Sequence, residues 1–263
     1  MTYNPFADLS ATIPAAAMQA YVVLMFVLVV AGTLADIIHK KSAKFFFQNA
    51  KKAEAMRTRD VGGGEKASIL IKTVASDVLT SSEFCNPHRR LAHLLTMYGF
   101  VAYVITTCVL VFGHTDAAMP APGIVMALWY LGAFSVCVGG FWFWFFIRVD
   151  VAAEGNPWYR IMRADLFVLS LLGSTTFALL WSILQGAGVG MLSSIFFWLF
   201  IASSTVLFGG VLWSKFAHMF FKPAAALQKH IAEADGSQDN LPPPADLPAN
   251  MGLGIKRELP RHY

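Results

Sequence analysis

Four stretches of this chain stay apolar for twenty residues or more, and no other feature restricts its fold as tightly. Ala15 to Ile38, Leu91 to Phe112 and Gly123 to Ile147 are single runs, whereas Leu166 to Phe221 is too long for one. A bilayer core about 30 Å thick takes about 20 apolar residues per helix. The long block is interrupted by "QGAGVG" (Gln185 to Gly190), whose glycines suit a tight turn between two helices. That makes five spans. Charged residues are 14% of the chain and hydrophobic residues 56%, whereas soluble domains carry about 25% charged residues. The expected fold is an all-α integral membrane protein with five transmembrane helices.

The lysines and arginines supply an internal check on that count. Eleven lie between His39 and Arg90, three between Arg148 and Arg163, and six from Lys215 onward, which accounts for all 20. None lies in the first 14 residues, between His114 and Pro122, or in the glycine-rich turn. Five spans therefore place every cation on one side, and cytoplasmic loops are the ones enriched in Lys and Arg. The N-terminus is expected outside and the C-terminus in the cytoplasm. A missed helix would scramble this alternation. The net charge of +4 is this bias and not a nucleic-acid surface, since no basic patch is interleaved with aromatics. The first span lacks a basic leader and is too long for a cleaved signal peptide. Cys85, Cys108 and Cys137 form no CxxC pair, so no iron–sulfur cluster is expected.

Four segments follow. Residues 1–38 are an outer N-terminus with the first span. Residues 39–90 are a basic cytoplasmic segment: "KKSAKFFFQNAKKAEAMRTRD" can extend the first helix, and "VGGG" then breaks it. Ile71, Val74, Val78 and Leu79 next predict a short amphipathic helix, lying in the interface or against the helix ends. Residues 91–221 are a four-span bundle. Residues 222–263 are a cytoplasmic Pro-rich tail, expected to be extended from about Ala234. Without a repeat or a mid-span charge, a transporter is disfavoured.

The chemistry-bearing residues gather at the inner ends of two spans. In "NPHRRLAHLLTMYGF", Asn86 is a good N-cap and Pro87 suits the first turn. His93 then lies three residues beyond Arg90, about 4.5 Å deeper along a helix. In "WSKFAHMFFKP", His218 precedes Lys222 by four residues, about 6 Å along the axis. If the second and fifth helices are antiparallel, the two histidines reach similar depth and can ligate one haem iron from opposite faces. Arg89 and Arg90, with Lys222, can then bind the propionates. Ala92, Gly99, Gly209 and Gly210 would let a flat macrocycle approach the backbone. The competing reading makes both histidines interfacial groups reaching for the headgroups. His114 has no partner at the outer end of the fifth span, so a second haem is not expected.

"NPHRRLAHLLTMYGF" followed by "SKFAHMFFKPAAAL" resembles the five-span quinone-linked cytochrome b subunits. That family includes the gamma subunit of respiratory nitrate reductase and the membrane subunits of heterodisulfide-reductase-like complexes. The likeness is greatest to the membrane subunit of the quinone-interacting membrane-bound oxidoreductase complex and to the membrane anchor associated with adenylylsulfate reductase. It covers roughly residues 14 to 230. The resemblance implies one haem b held by His93 and His218, with quinone as exchangeable redox partner. It also implies electron transfer with a cytoplasmic iron–sulfur or flavin enzyme, such as adenylylsulfate reductase in sulfur metabolism, at a bacterial inner membrane. A catalytic site of its own is not implied. The alternative function is a haem-free anchor that holds such a complex at the membrane. Two quinone positions stay open: an inner one near His88, Tyr98, Arg148 and Arg163, and an outer one near His114 and Asp116.

Overall fold

The computed structural model describes residues 3–237 apart from 41, 83, 85, 153, 212 and 214–217. Among the described residues every regular element is a helix. Five helices are long and apolar enough to cross a membrane: Ala15–His39, Pro87–Gly113, Gly123–Ile147, Arg163–Gly186 and Gly190–Gly209. The chain is an integral membrane protein. In chain order the helices are α1 (Pro5–Leu9), α2 (Ala15–Lys40), α3 (Ser42–Ala55), α4 (Gly63–Thr73), α5 (Pro87–Gly113), α6 (Gly123–Trp142), α7 (Val149–Ala152), α8 (Leu166–Gly186), α9 (Gly190–Gly209) and α10 (His218–Ala234). Wide π-helical turns continue α4 over Val74–Leu79 and α6 over Phe143–Ile147.

The residues fall into two units, Met1–Asp36 with Leu91–Ala217 and Ile37–Arg90 with His218–Tyr263. We call them the membrane unit and the polar unit. The Pro-rich tail beyond residue 237 lies outside the described residues. Residues 222–234 are not tail: they are the body of α10. The amphipathic helix expected over Ser68 to Leu79 is present as α4 and its π-helical continuation, and Ile71 (69% exposed) and Leu79 (48%) lie on its open face.

Within the membrane unit, lipid offers no hydrogen bonds and no hydrophobic drive between helices, so close packing and satisfied polar groups must hold it. The seam between α5 and α6 is built on missing side chains. A Cβ on Gly99 would stand 2.7 Å from the Gly132 carbonyl oxygen, and one on Gly139 2.6 Å from that of Ala92. This corrects the sequence expectation: Gly99 and Ala92 bring two helices together instead of admitting a macrocycle. Hydroxyls inside the spans bond back to carbonyls of their own helix. Thr96 donates to Ala92 at 2.8 Å, Thr106 to Ala102 at 2.6 Å and Ser170 to Leu166 at 2.6 Å.

The aromatic core sits toward the N-terminal end of this unit. Trp129 and Trp181 are 0% and 1% exposed. Phe6 of α1 meets both edge-on, with ring centroids 5.9 and 5.3 Å away. The sequence signals α1 in the same way as α5. Asn4 caps it, its Oδ1 accepting from the Phe6 amide at 3.1 Å, and Pro5 opens it. Further ties fasten this segment. Asn4 Nδ2 donates to the His114 carbonyl at 2.7 Å, Gln185 Nε2 to that of Pro5 at 3.3 Å, and the Tyr130 hydroxyl to that of Tyr3 at 3.2 Å. Burial and a 2.6 Å bond to Asp8 hold the Tyr3 phenol above its ordinary value.

Candidate functional site

The N-cap expected at Asn86 is formed: its Oδ1 accepts from the His88 amide at 2.9 Å. His93 follows two turns into α5 and is half-buried in the membrane unit. Arg89 and Arg90 belong to the polar unit. Arg90 Nε donates to the Thr80 carbonyl at 2.7 Å, which ties the start of α5 to the segment before it. Lys222 also belongs to the polar unit, its Nζ 5.2 Å from the Phe84 ring centre.

His218 is placed differently from the expectation. The fifth span ends at Gly209, with Gly210 as its cap and Val211 in a turn, and His218 is the first residue of α10. The side chain of His218 lies outside the described ones. The expected clamp needs one histidine on each of two antiparallel spans. Here one histidine is in a span and the other opens a helix of the polar unit. The described residues contain no group of three or more His, Cys, Asp or Glu able to hold a metal ion. The second and fifth spans are nevertheless neighbours, because Phe100 and Phe208 stack at 6.3 Å.

Arg148, one of the four residues named at the inner quinone position, is held within its own loop. Arg148 is 4% exposed, and its guanidinium is already engaged. Nη1 donates to Asp165 Oδ2 at 2.7 Å, and Nη2 donates to the carbonyls of Arg160 at 2.8 Å and Trp158 at 3.2 Å. The π-helical turn makes this possible. The Arg148 amide bonds back to the Phe143 carbonyl at 2.8 Å, and the guanidinium carbon lies 3.9 Å from the Trp144 ring centre. The group closes the loop between the third and fourth spans through Nη1 and Nη2, while its Nε is buried without a hydrogen-bond partner. At the other end, His114 Nδ1 lies 3.3 Å from the Met119 carbonyl, within its own loop.

What the structure does open is a cavity of about 220 Å³ in the membrane unit. Its walls are α2, α5 and α9, with Ser174 of α8, and Phe6, Leu9 and Ile13 close it at the N-terminal end. Among the described residues, neither Asp, Glu, Lys, Arg nor His lines it. The polar groups are hydroxyls and one thiol. Ser174 and Ser204 bond each other at 2.8 Å, and the Tyr21 hydroxyl donates to the Ile201 carbonyl at 3.1 Å and sits 3.0 Å from Thr205 Oγ1. Tyr103 stands apart. Its residue is 5% exposed and its hydroxyl is buried with no hydrogen-bond partner, while the adjacent Ser174 is engaged with Ser204. A buried hydroxyl left unpaired costs about 1–3 kcal/mol. Sequence reasoning missed this site because its walls come from four separate helices, and no local motif marks it.

In the polar unit, α10 is pinned at two places. His230 Nε2 lies 2.7 Å from Asp77 Oδ2, and its Nδ1 3.0 Å from Glu233 Oε2. The bond to Asp77, then that to Glu233, raises His230 above its ordinary value of 6.5. For Asp77 burial opposes the charge, but bonds from Ser82, His230 and Ser76 prevail and hold the carboxyl below its ordinary range. At the end of α10 the amides of Thr58 and Arg59 donate to the Asp235 carbonyl at 2.9 and 3.2 Å. No family model, curated protein or solved structure matches the chain.

Proposed function

We propose that the chain is a haem-free membrane anchor. It holds a cytoplasmic iron–sulfur or flavin enzyme, with adenylylsulfate reductase as the candidate the resemblance suggests, at a bacterial inner membrane and gives it access to quinone. The reading rests chiefly on the end of the fifth span at Gly209, which assigns His218 to the polar unit. His218 then opens α10, and the polar unit gives the chain a folded surface outside the spans. The positive-inside bias puts this unit in the cytoplasm. Its exposed apolar side chains include Phe47 (67%), Ile71 (69%) and Leu70 (47%), which suit a protein partner or the headgroup region. Electrons would pass through the partner's cofactors, not through this chain.

The test is affinity purification of the full chain from its native membranes in mild detergent. Stoichiometric flavin or iron–sulfur signal should accompany it and be lost in a Phe47→Asp, Ile71→Asp double variant that still inserts in membranes. A chain that purifies without any such cofactor-bearing protein, or retains it in the double variant, contradicts the reading.

A further inference from the structure

We infer that the cavity between α2, α5 and α9 is a binding site for a neutral, ring-headed lipid carrying a carbonyl acceptor, that is, a quinone-class molecule with Tyr103 as its hydrogen-bond donor. This deepens the proposed function by placing the quinone, at neither of the two positions the sequence offered.

Three observations carry it. The Tyr103 hydroxyl lines the cavity, is buried, and has no partner. The other hydroxyls that line the cavity, those of Tyr21, Thr107, Ser174 and Ser204, are bonded within the chain, so this one calls for an acceptor from outside it. Size is the second observation. An engineered apolar cavity of about 150 Å³ takes up benzene, so about 220 Å³ admits a substituted six-membered ring. The third is access. Phe26 (51% exposed) and Trp198 (63%) line the cavity and also reach the molecular surface within the spans. A ligand therefore enters sideways from the bilayer, which selects a lipid-soluble molecule. The absence of charged side chains from the lining selects a neutral one, since an ion would go uncompensated there.

The experiment uses the purified full chain in nanodiscs, with decyl-benzoquinone as probe and tryptophan quenching as readout. Wild type should bind saturably. Tyr103→Phe keeps the ring and removes only the donor, and should bind about three- to tenfold more weakly. Ile201→Trp fills the cavity and should abolish saturable binding while α-helical circular dichroism is retained. A decyl-cyclohexane of the same size should not compete. Equal competition by the hydrocarbon together with unchanged affinity in Tyr103→Phe would mean that bilayer acyl chains fill the space, and overturns the assignment. If Ile201→Trp does not fold, the Tyr103→Phe and competition arms decide alone. Because the chain is tested without a partner, failure here leaves the anchor reading standing, and loss of the partner leaves this site standing.

Discussion

The two units of this molecule are held together in opposite ways. The membrane unit is assembled on absent side chains and inward-turned hydroxyls, as at Gly99 against Gly132 and Thr106 against its own helix. The polar unit is assembled on charges: Asp77 with His230, and Arg59 with Glu65 at 3.0 Å. The difference follows from the solvent. In lipid, apolar surface gains nothing by meeting apolar surface, so contact distance decides. In water an ion pair is cheap to form and adds little, because both partners are already solvated. Arg148 combines the two modes, as a charge pair withdrawn from water at the end of a span.

That contrast can be broken at Arg148 with the largest effect. Arg148→Ala leaves Asp165, 13% exposed at its side chain, without its cation, and removing one partner of a buried pair costs about 3–5 kcal/mol. Denaturant unfolding in detergent should show this, and Arg148→Lys should recover only part of it, because one ammonium cannot serve three acceptors across a planar fork. Next comes Gly132→Ala. Its Cβ would stand 2.8 Å from the Gly99 carbonyl oxygen, and such overpacking costs about 1–3 kcal/mol. An equal loss from Gly63→Ala in the polar unit, where a Cβ meets nothing within 4 Å, would erase the distinction.

A smaller effect is expected from pH, and only in the polar unit. His230 is raised from 6.5, so its contribution is complete below that value and is lost as pH rises through the higher folded value. Asp77 is lowered from 3.8, so its contribution holds above that value and fades as pH falls through the folded one. Hydrogen-exchange protection of α10 should therefore peak between these limits, while the spans stay flat. In His230→Gln the alkaline limb should vanish. Arg59→Gln should change least, because both side chains of its pair are well exposed.

The spans were legible because composition alone marks them, and the third runs from Gly123 to Ile147 as the hydropathy indicates. The end of the fifth was not. Apolar residues continue through "VLWSKFAHMFF", so hydropathy passes over the break at Gly209–Gly210, and the glycine pair was the local sign of it. α1 was readable in "NPFADL" by the same Asn-Pro start that reveals α5. The cavity and the Arg148 lock were not readable at all. Both depend on which helices become neighbours, and that is settled by packing between residues far apart in sequence.

The account turns on whether this chain carries haem. Full-length protein purified from haem-replete cells, assayed by pyridine haemochrome beside His93→Ala and His218→Ala, tests it most directly. The account predicts no b-type signal above background in any of the three. One haem per chain in wild type, lost in both single variants, would contradict it and restore the paired-histidine cytochrome.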